Sequence, residues 1–146
     1  MKFDSAFDYE VNLNEVFSPS CVYFLIKEGC VVYVGKTTQG LKRILAHADD
    51  KVFDNIKLKK VPIEELDVTE AAYIAKYDPI YNPNMPYLQS SKRIKKTLLQ
   101  EYGVRVKKRD IDYWIITRDI DRVYFRGELF IHPCATQSCI NYFIDK

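Results

Sequence analysis

The chain has 146 residues, 47% of them hydrophobic, and its 22 Lys and Arg residues nearly balance 20 Asp and Glu residues. This composition excludes a disordered chain, and the length suits one domain or a small domain with an appendage. No apolar run approaches the roughly 18 residues that span a bilayer. Because the first fifteen residues carry four acidic side chains and no apolar segment, we expect neither a signal peptide nor a membrane partner.

Residues 1–19 form an acidic, irregular N-terminal extension. Two strands are predicted next, at Cys21–Lys27 and Cys30–Gly35, because both segments are rich in β-branched and aromatic residues. A further strand is predicted within residues 52–61. The four cysteines of the chain are spaced too widely for a zinc site and are expected to be free thiols.

The two strands predict a hairpin that brings two tyrosines together. A three-residue loop ending in Gly29 places Tyr23 directly opposite Tyr33. The alternative, a two-residue Glu28–Gly29 loop, would place the tyrosines on opposite faces of the sheet. We prefer the bulged loop because it leaves one uniformly apolar face for the core, made of Val22, Phe24, Ile26, Cys30, Val32 and Val34.

Two helices follow in the first part of the chain. Apolar spacing predicts a helix over residues 41–50, with Arg43 and His47 as neighbours on its polar flank. A second helix begins at Asp67 and stops before Pro79. The first helix is expected to bury a stripe made of Leu41, Ile44, Leu45 and Ala48.

The second part of the chain, residues 87–146, has a different character. A helix is predicted over Ser90–Tyr102 with Gly103 as its C-cap, followed by strands at 111–117, 122–126 and 128–132 and a closing helix near 135–143. No zinc-finger or helix-turn-helix pattern is apparent, and Tyr113, Trp114 and Tyr124 are interpreted as strand core. The expected fold class is α+β, with a small three-stranded mixed or antiparallel sheet flanked by helices in residues 20–86 and a basic α+β extension in residues 87–146 that packs on it.

Several polar residues in the first part follow a recognisable order. The segments Cys21-Val22-Tyr23 and Tyr33-Val34-Gly35 have nine residues between their tyrosines, and Arg43 follows Tyr33 by ten residues. His47 comes four residues later, and TEAAYIAKYDPIYN supplies Glu70 and Asn82. Over residues 20–84 this arrangement resembles the GIY-YIG nuclease superfamily. Cys21 replaces the first glycine of the family motif, and Val replaces both isoleucines.

The resemblance implies a metal-dependent DNA endonuclease that leaves 5′-phosphate and 3′-hydroxyl ends. Glu70 would hold one divalent ion, Mg²⁺ or Mn²⁺, and Arg43 would clamp the phosphate. Tyr33 would orient the attacking water or act as its base, assisted by Tyr23. His47 would relay a proton or bind phosphate, and Gly35 and Asn82 would support the site. A cytoplasmic protein of prokaryotic or phage type fits this activity.

Other interpretations of the same residues stay open. Glu70 lies three residues after Asp67, which is the spacing of a helix capping box, and Arg43 and His47 also suit a solvated helix face. The loss of the motif glycine at Cys21 suggests, as an alternative function, a catalytically weak or inactive nucleic-acid-binding module on the same fold. A third hypothesis is an interaction protein that keeps only the scaffold.

Charge is divided unevenly along the chain. Residues 1–86 have a net charge of −3 and residues 87–146 a net charge of +5, and the segment 92–109 alone carries +7. This density predicts contacts with the backbone of double-stranded or branched DNA. Double-strand cutting by one small site would favour a homodimer or two sequential nicks. The residues expected to contact nucleic acid are Lys36, Lys92, Arg93, Lys95, Lys96, Lys107, Lys108 and Arg109.

Overall fold

A computed structural model describes Tyr9–Glu10 and residues 20–146, except for the side chains of Tyr9, Glu10, Leu41 and His47. The chain divides into two compact units between Pro86 and Tyr87, and the fold class is α+β, as predicted. Among the described residues, no helix is both long and apolar enough to cross a bilayer. The predicted extension at residues 1–19 lies outside the described residues apart from Tyr9–Glu10.

The first unit is built on an antiparallel sheet. Its strands have the spatial order β1-β4-β2-β3, so the predicted three strands are joined by one short further strand, and β3 lies at an edge. The helix expected to begin at Asp67 begins one residue earlier and ends where predicted. The elements in chain order are β1 (Tyr9–Glu10), β2 (Cys21–Lys27), β3 (Cys30–Thr37), α1 (Leu41–His47), β4 (Asn55–Lys60), a 3₁₀ turn (Ile63–Glu65) and α2 (Leu66–Tyr77).

The register of the β2–β3 hairpin differs from the predicted one. Lys27 pairs with Cys30 across a two-residue loop in which Glu28 and Gly29 both have positive φ, which is the geometry of a tight type I′ turn. An irregularity after Leu25 then inserts one extra residue into β3. Tyr23 therefore pairs with Gly35, and Tyr33 pairs with Leu25. The prediction of directly opposed tyrosines was wrong, but the bulge returns both to the same face.

Both faces of β2 are covered, whereas the sequence suggested a single core face. Every residue from Cys21 to Ile26 is buried. On one face Tyr23 belongs to an apolar cluster with Ile44 of α1, and on the other Phe24 makes an edge-to-face contact with Tyr73 of α2. Leu45 is 50% exposed and does not belong to the buried stripe expected for α1.

The second unit combines three helices with a small antiparallel sheet. Its strands have the order β5-β7-β6. Helix α3 is capped by the Ser90 hydroxyl, which accepts from the Arg93 N–H, and ends at Gly103 in the left-handed region, as predicted. The elements are β5 (Gln89–Ser90), α3 (Ser91–Tyr102), α4 (Lys108–Thr117), β6 (Arg122–Phe125), β7 (Glu128–Ile131) and α5 (Pro133–Asp145).

The strand predicted at residues 111–117 is wrong, because this segment lies in helix α4. Its β-branched and aromatic residues favour a strand locally, yet Ile111, Trp114 and Ile115 have helical spacing and are buried together. Burial against α3 and α5 outweighs the local preference. The predicted hairpin and closing helix are confirmed as β6, β7 and α5. The four cysteines are free thiols, as expected.

Candidate active site

Two tyrosine rings lie in contact on one face of the first sheet. The ring centroids of Tyr23 and Tyr33 are 5.9 Å apart and the rings are tilted by 45°. Tyr23 is fully buried and Tyr33 is half-buried. Burial raises the pKa of Tyr23 far above its usual range, and the neighbouring Tyr33 and Glu70 raise it further. Tyr23 is therefore a neutral phenol that can donate a hydrogen bond, and it is not a base.

Gly35 is required by the position of the Tyr23 ring. A Cβ added at Gly35 would lie 2.5 Å from the Tyr23 hydroxyl oxygen and still closer to the ring carbon that carries it. The two residues are direct cross-strand partners, so neither backbone can move away without disturbing the ladder. The Tyr23 ring and its hydroxyl can therefore occupy their position only because residue 35 has no side chain.

Gly35→Ala is expected to displace the Tyr23 ring and to destabilise the fold by about 1–3 kcal/mol, which is the usual effect of overpacking. Chemical denaturation of the variant measures this. A double-mutant cycle with Tyr23→Ala provides the control, because removing the ring also removes the clash. The double variant should then be more stable than the sum of the single effects predicts. If the two substitutions had additive effects on the free energy of unfolding, the close contact between residue 35 and the Tyr23 ring would be contradicted.

Glu70 is a buried carboxylate on α2. It is 8% exposed and has no hydrogen-bond partner among the described residues. Burial raises its pKa to about 7, against the opposing influence of the Lys36 ammonium, and Asp67 adds to the rise. The capping-box interpretation does not hold, since α2 begins at Leu66 without a side-chain cap and the Asp67 carboxylate accepts from Lys36. A buried carboxylate without a hydrogen-bond partner among the described residues is well suited to bind a cation.

A groove of about 390 Å³ opens at the start of α2. Its lining includes Lys36, Thr37 and Arg43, together with Leu66 and Asp67. Lys36 forms an ion pair with Asp67 there, and the exposed Arg43 has no ion-pair partner among the described residues. Glu70 lies one helical turn beyond Asp67, so the charges of the groove act directly on its pKa. The groove therefore holds two cations and one carboxylate, and Arg43 is the cation that is left without an ion pair among the described residues.

The side chain of Asn82 forms hydrogen bonds with the backbone of the edge strand β3. Its side-chain oxygen accepts from the Val34 N–H at 2.8 Å, and its side-chain nitrogen donates to the Val34 carbonyl at 2.9 Å. The neighbouring Tyr81 N–H donates to the Val32 carbonyl at 2.9 Å. Asn82 is buried and thus replaces a missing strand partner between Tyr33 and Gly35. These hydrogen bonds attach the segment after α2 to β3, and the supporting role of Asn82 in a catalytic site stays a prediction.

Asn82→Ala is expected to destabilise the fold by about 2 kcal/mol, because it leaves both polar groups of Val34 buried without partners. Urea denaturation measures the change in free energy of unfolding. Asn84→Ala is the matched control, since Asn84 is exposed and two residues away. Equal stability of the two variants would show that the Val34 hydrogen bonds contribute nothing.

The structure shows two contacts in the candidate site, made by Lys51 and by Asp67, that the sequence did not predict. The Lys51 ammonium lies 4.7 Å from the centroid of the Tyr33 ring, which is a cation–π contact. Asp67 is the ion-pair partner of Lys36, 31 residues away.

Cys21, in place of the motif glycine, is buried in a strand paired on both sides, and burial raises the pKa of its thiol to about 11. The backbone at this position is extended and needs no glycine.

The remaining predicted site residues divide into three groups. The side chain of His47 lies outside the described residues, so its role stays a prediction. In the second unit, Lys108 donates to Asp112 at 3.1 Å and lies 3.8 Å from Glu128. The other predicted nucleic-acid contacts of this unit are exposed and have no ion pair among the described residues. These are Lys92, Arg93, Lys95, Lys96, Lys107 and Arg109.

Among the described residues, no group of three or more His, Cys, Asp or Glu side chains converges as a metal site. One carboxylate with several waters is a typical Mg²⁺ environment, and Glu70 is the buried carboxylate here that could supply it. No family model, curated protein or solved structure matches the chain. Only the residues of the chain itself therefore indicate what chemistry this site could perform.

Proposed function

We propose that the chain is a metal-dependent DNA endonuclease of the GIY-YIG type, with its active site in the first unit. The observation that carries this proposal is the buried carboxylate of Glu70, which has no hydrogen-bond partner among the described residues and which raises the pKa of Tyr23 in the tyrosine pair. The nearby groove with Lys36 and Arg43 supplies positive charge for a phosphate. Phosphodiester hydrolysis needs a positioned water, charge stabilisation on the phosphoryl oxygens and help for the leaving oxygen.

Each side chain has a distinct task in this proposal. The Arg43 guanidinium binds phosphate oxygens through its forked donors and keeps its charge at any working pH. Tyr33, the more accessible tyrosine, orients the attacking water or accepts its proton. Tyr23 remains protonated and donates a hydrogen bond that fixes this geometry. A divalent ion held by Glu70, Mg²⁺ or Mn²⁺, would supply Lewis-acid stabilisation of the charge that develops on the phosphate.

The test is a supercoiled-plasmid assay with the full chain, with Mg²⁺ or with chelator, next to Arg43→Ala and Glu70→Ala. Cutting by wild type alone, only with the metal, is the expected result. Ligation without end repair would show 5′-phosphate and 3′-hydroxyl products. Linear product formed without a nicked precursor would indicate two active sites acting together, as in a homodimer.

A binding module without catalysis is the second candidate, favoured by the Lys36–Asp67 ion pair, which neutralises one of the two cations of the groove. It predicts DNA binding without cutting by all three proteins in the plasmid assay. Cutting by wild type that is lost in both variants would rule it out. Failure of all three proteins to bind DNA would leave only a scaffold for interactions with other proteins.

A further inference from the structure

The second unit contains two consecutive helices with the connectivity of a DNA-reading motif. Helix α3 ends at Tyr102, and α4 begins at Lys108 after a five-residue connection. The left-handed conformation at Gly103 turns the chain sharply, with the Val104 N–H donating to the Leu98 carbonyl at 2.9 Å. The two helices share a buried core with α5. The hairpin of β6 and β7 follows directly.

The outer face of α4 exposes a tyrosine and an isoleucine beside an arginine. Arg109, Tyr113 and Ile116 have the spacing of one helix face, opposite the buried Ile111 and Ile115. Tyr113 is 69% exposed and Ile116 is 47% exposed. An arginine fork beside apolar contacts is the combination that reads guanine edges and thymine methyl groups in the major groove.

Basic residues are concentrated in the part of the chain that leads to this face. The exposed basic residues of α3 and of the connection have no ion pair among the described residues, which leaves their charge available to phosphates. The unit as a whole holds twelve basic and seven acidic residues. The basic residues in question are Lys92, Arg93, Lys95, Lys96, Arg105 and Lys107.

Lys108 has a different task from its basic neighbours. Its ammonium contacts Asp112 on α4 and Glu128 on β7, so it ties the start of α4 to the hairpin. The Asp112 hydrogen bond raises the pKa of Lys108. The exposed Arg126 lies at the turn of the same hairpin, two residues before Glu128. A helix and a hairpin turn of the second unit therefore both present basic side chains.

We propose that residues 87–146 bind duplex DNA in a sequence-selective manner as a helix-turn-helix unit. Helix α4 lies in the major groove, which is about 12 Å wide and accepts one α-helix. Arg109, Tyr113 and Ile116 read base edges, while α3 and the hairpin turn contact phosphates. This inference goes beyond the proposed nuclease activity and does not depend on it, since it concerns binding by the second unit.

The first test is selection from a pool of short duplexes with randomised centres, using the full chain in chelator so that no cleavage occurs. Wild type is expected to enrich a defined sequence. Arg109→Ala should lower affinity for that sequence by about 5- to 150-fold, with a much smaller loss on unselected duplex. Lys96→Ala should weaken both duplexes equally and lower the salt dependence by about one counterion.

Several outcomes would overturn the proposal. They are the absence of an enriched sequence, equal losses for Arg109→Ala on both duplexes, and tighter binding to the single strand than to the duplex. Tyr113→Ala provides a second, independent variant, and circular dichroism checks that each variant is folded. Glu70→Ala should select the same sequence as wild type. Its result separates a failure of this inference from a failure of the proposed nuclease, because Glu70 lies in the other unit.

Discussion

Glu70→Gln is expected to lower plasmid cleavage by about 10³-fold while leaving DNA affinity within about threefold. The amide keeps the size of the side chain but loses the negative charge that would hold a cation. Binding of DNA should persist, because the cations of the groove and of the second unit are unchanged. Single-turnover cleavage rates and gel-shift affinities measured on the same preparation separate the two effects.

The pH dependence of wild-type cleavage provides a second readout of the same residue. Because the pKa of Glu70 is about 7 in the metal-free protein, the cation must compete with a proton below that pH. The rate at low Mg²⁺ should therefore rise with pH through about 7, and higher Mg²⁺ should move the midpoint down. Glu64→Gln is the matched control, since Glu64 is an exposed carboxylate just before α2. A Glu64→Gln loss as large as that of Glu70→Gln would contradict the assignment.

The elements of the first unit were largely predictable because their signals are local. The hairpin, β4, α1 and α2 follow from strand-forming residues, helical apolar spacing and the proline after α2. The register was not predictable, because the choice between two loops depends on a bulge whose stability comes from packing on both faces of β2. The two-residue loop rejected on the sequence is the one formed.

In the second unit, too, local sequence failed to predict an element whose conformation depends on packing against distant residues. The segment around Trp114 is rich in β-branched and aromatic residues, yet it is helical because α3 and α5 cover its buried stripe. That single error concealed the two-helix arrangement. In the candidate site, Lys51 and Asp67 were missed because each meets its partner only through the fold. The motif residues could be proposed from the sequence because their order and spacing are visible in the chain itself.

Without metal, Glu70→Gln is expected to be more stable than wild type at about pH 8, by up to about 3 kcal/mol. The folded state holds the Glu70 proton more tightly than the unfolded state, since burial raises the pKa from 4.5 to about 7. The contribution of Glu70 to stability is therefore complete below about pH 4.5 and is lost as the pH rises through about 7.

Urea denaturation in chelator across this range measures the effect. Relative to Glu70→Gln, wild type should lose stability as the pH rises, and the difference between the two proteins should vanish at low pH. Added Mg²⁺ should stabilise wild type by mass action and leave the variant unchanged. A pH-independent difference would show that the Glu70 carboxylate is well solvated. The residue proposed to make the enzyme active is thus the one expected to destabilise the fold, and the cation offsets that cost.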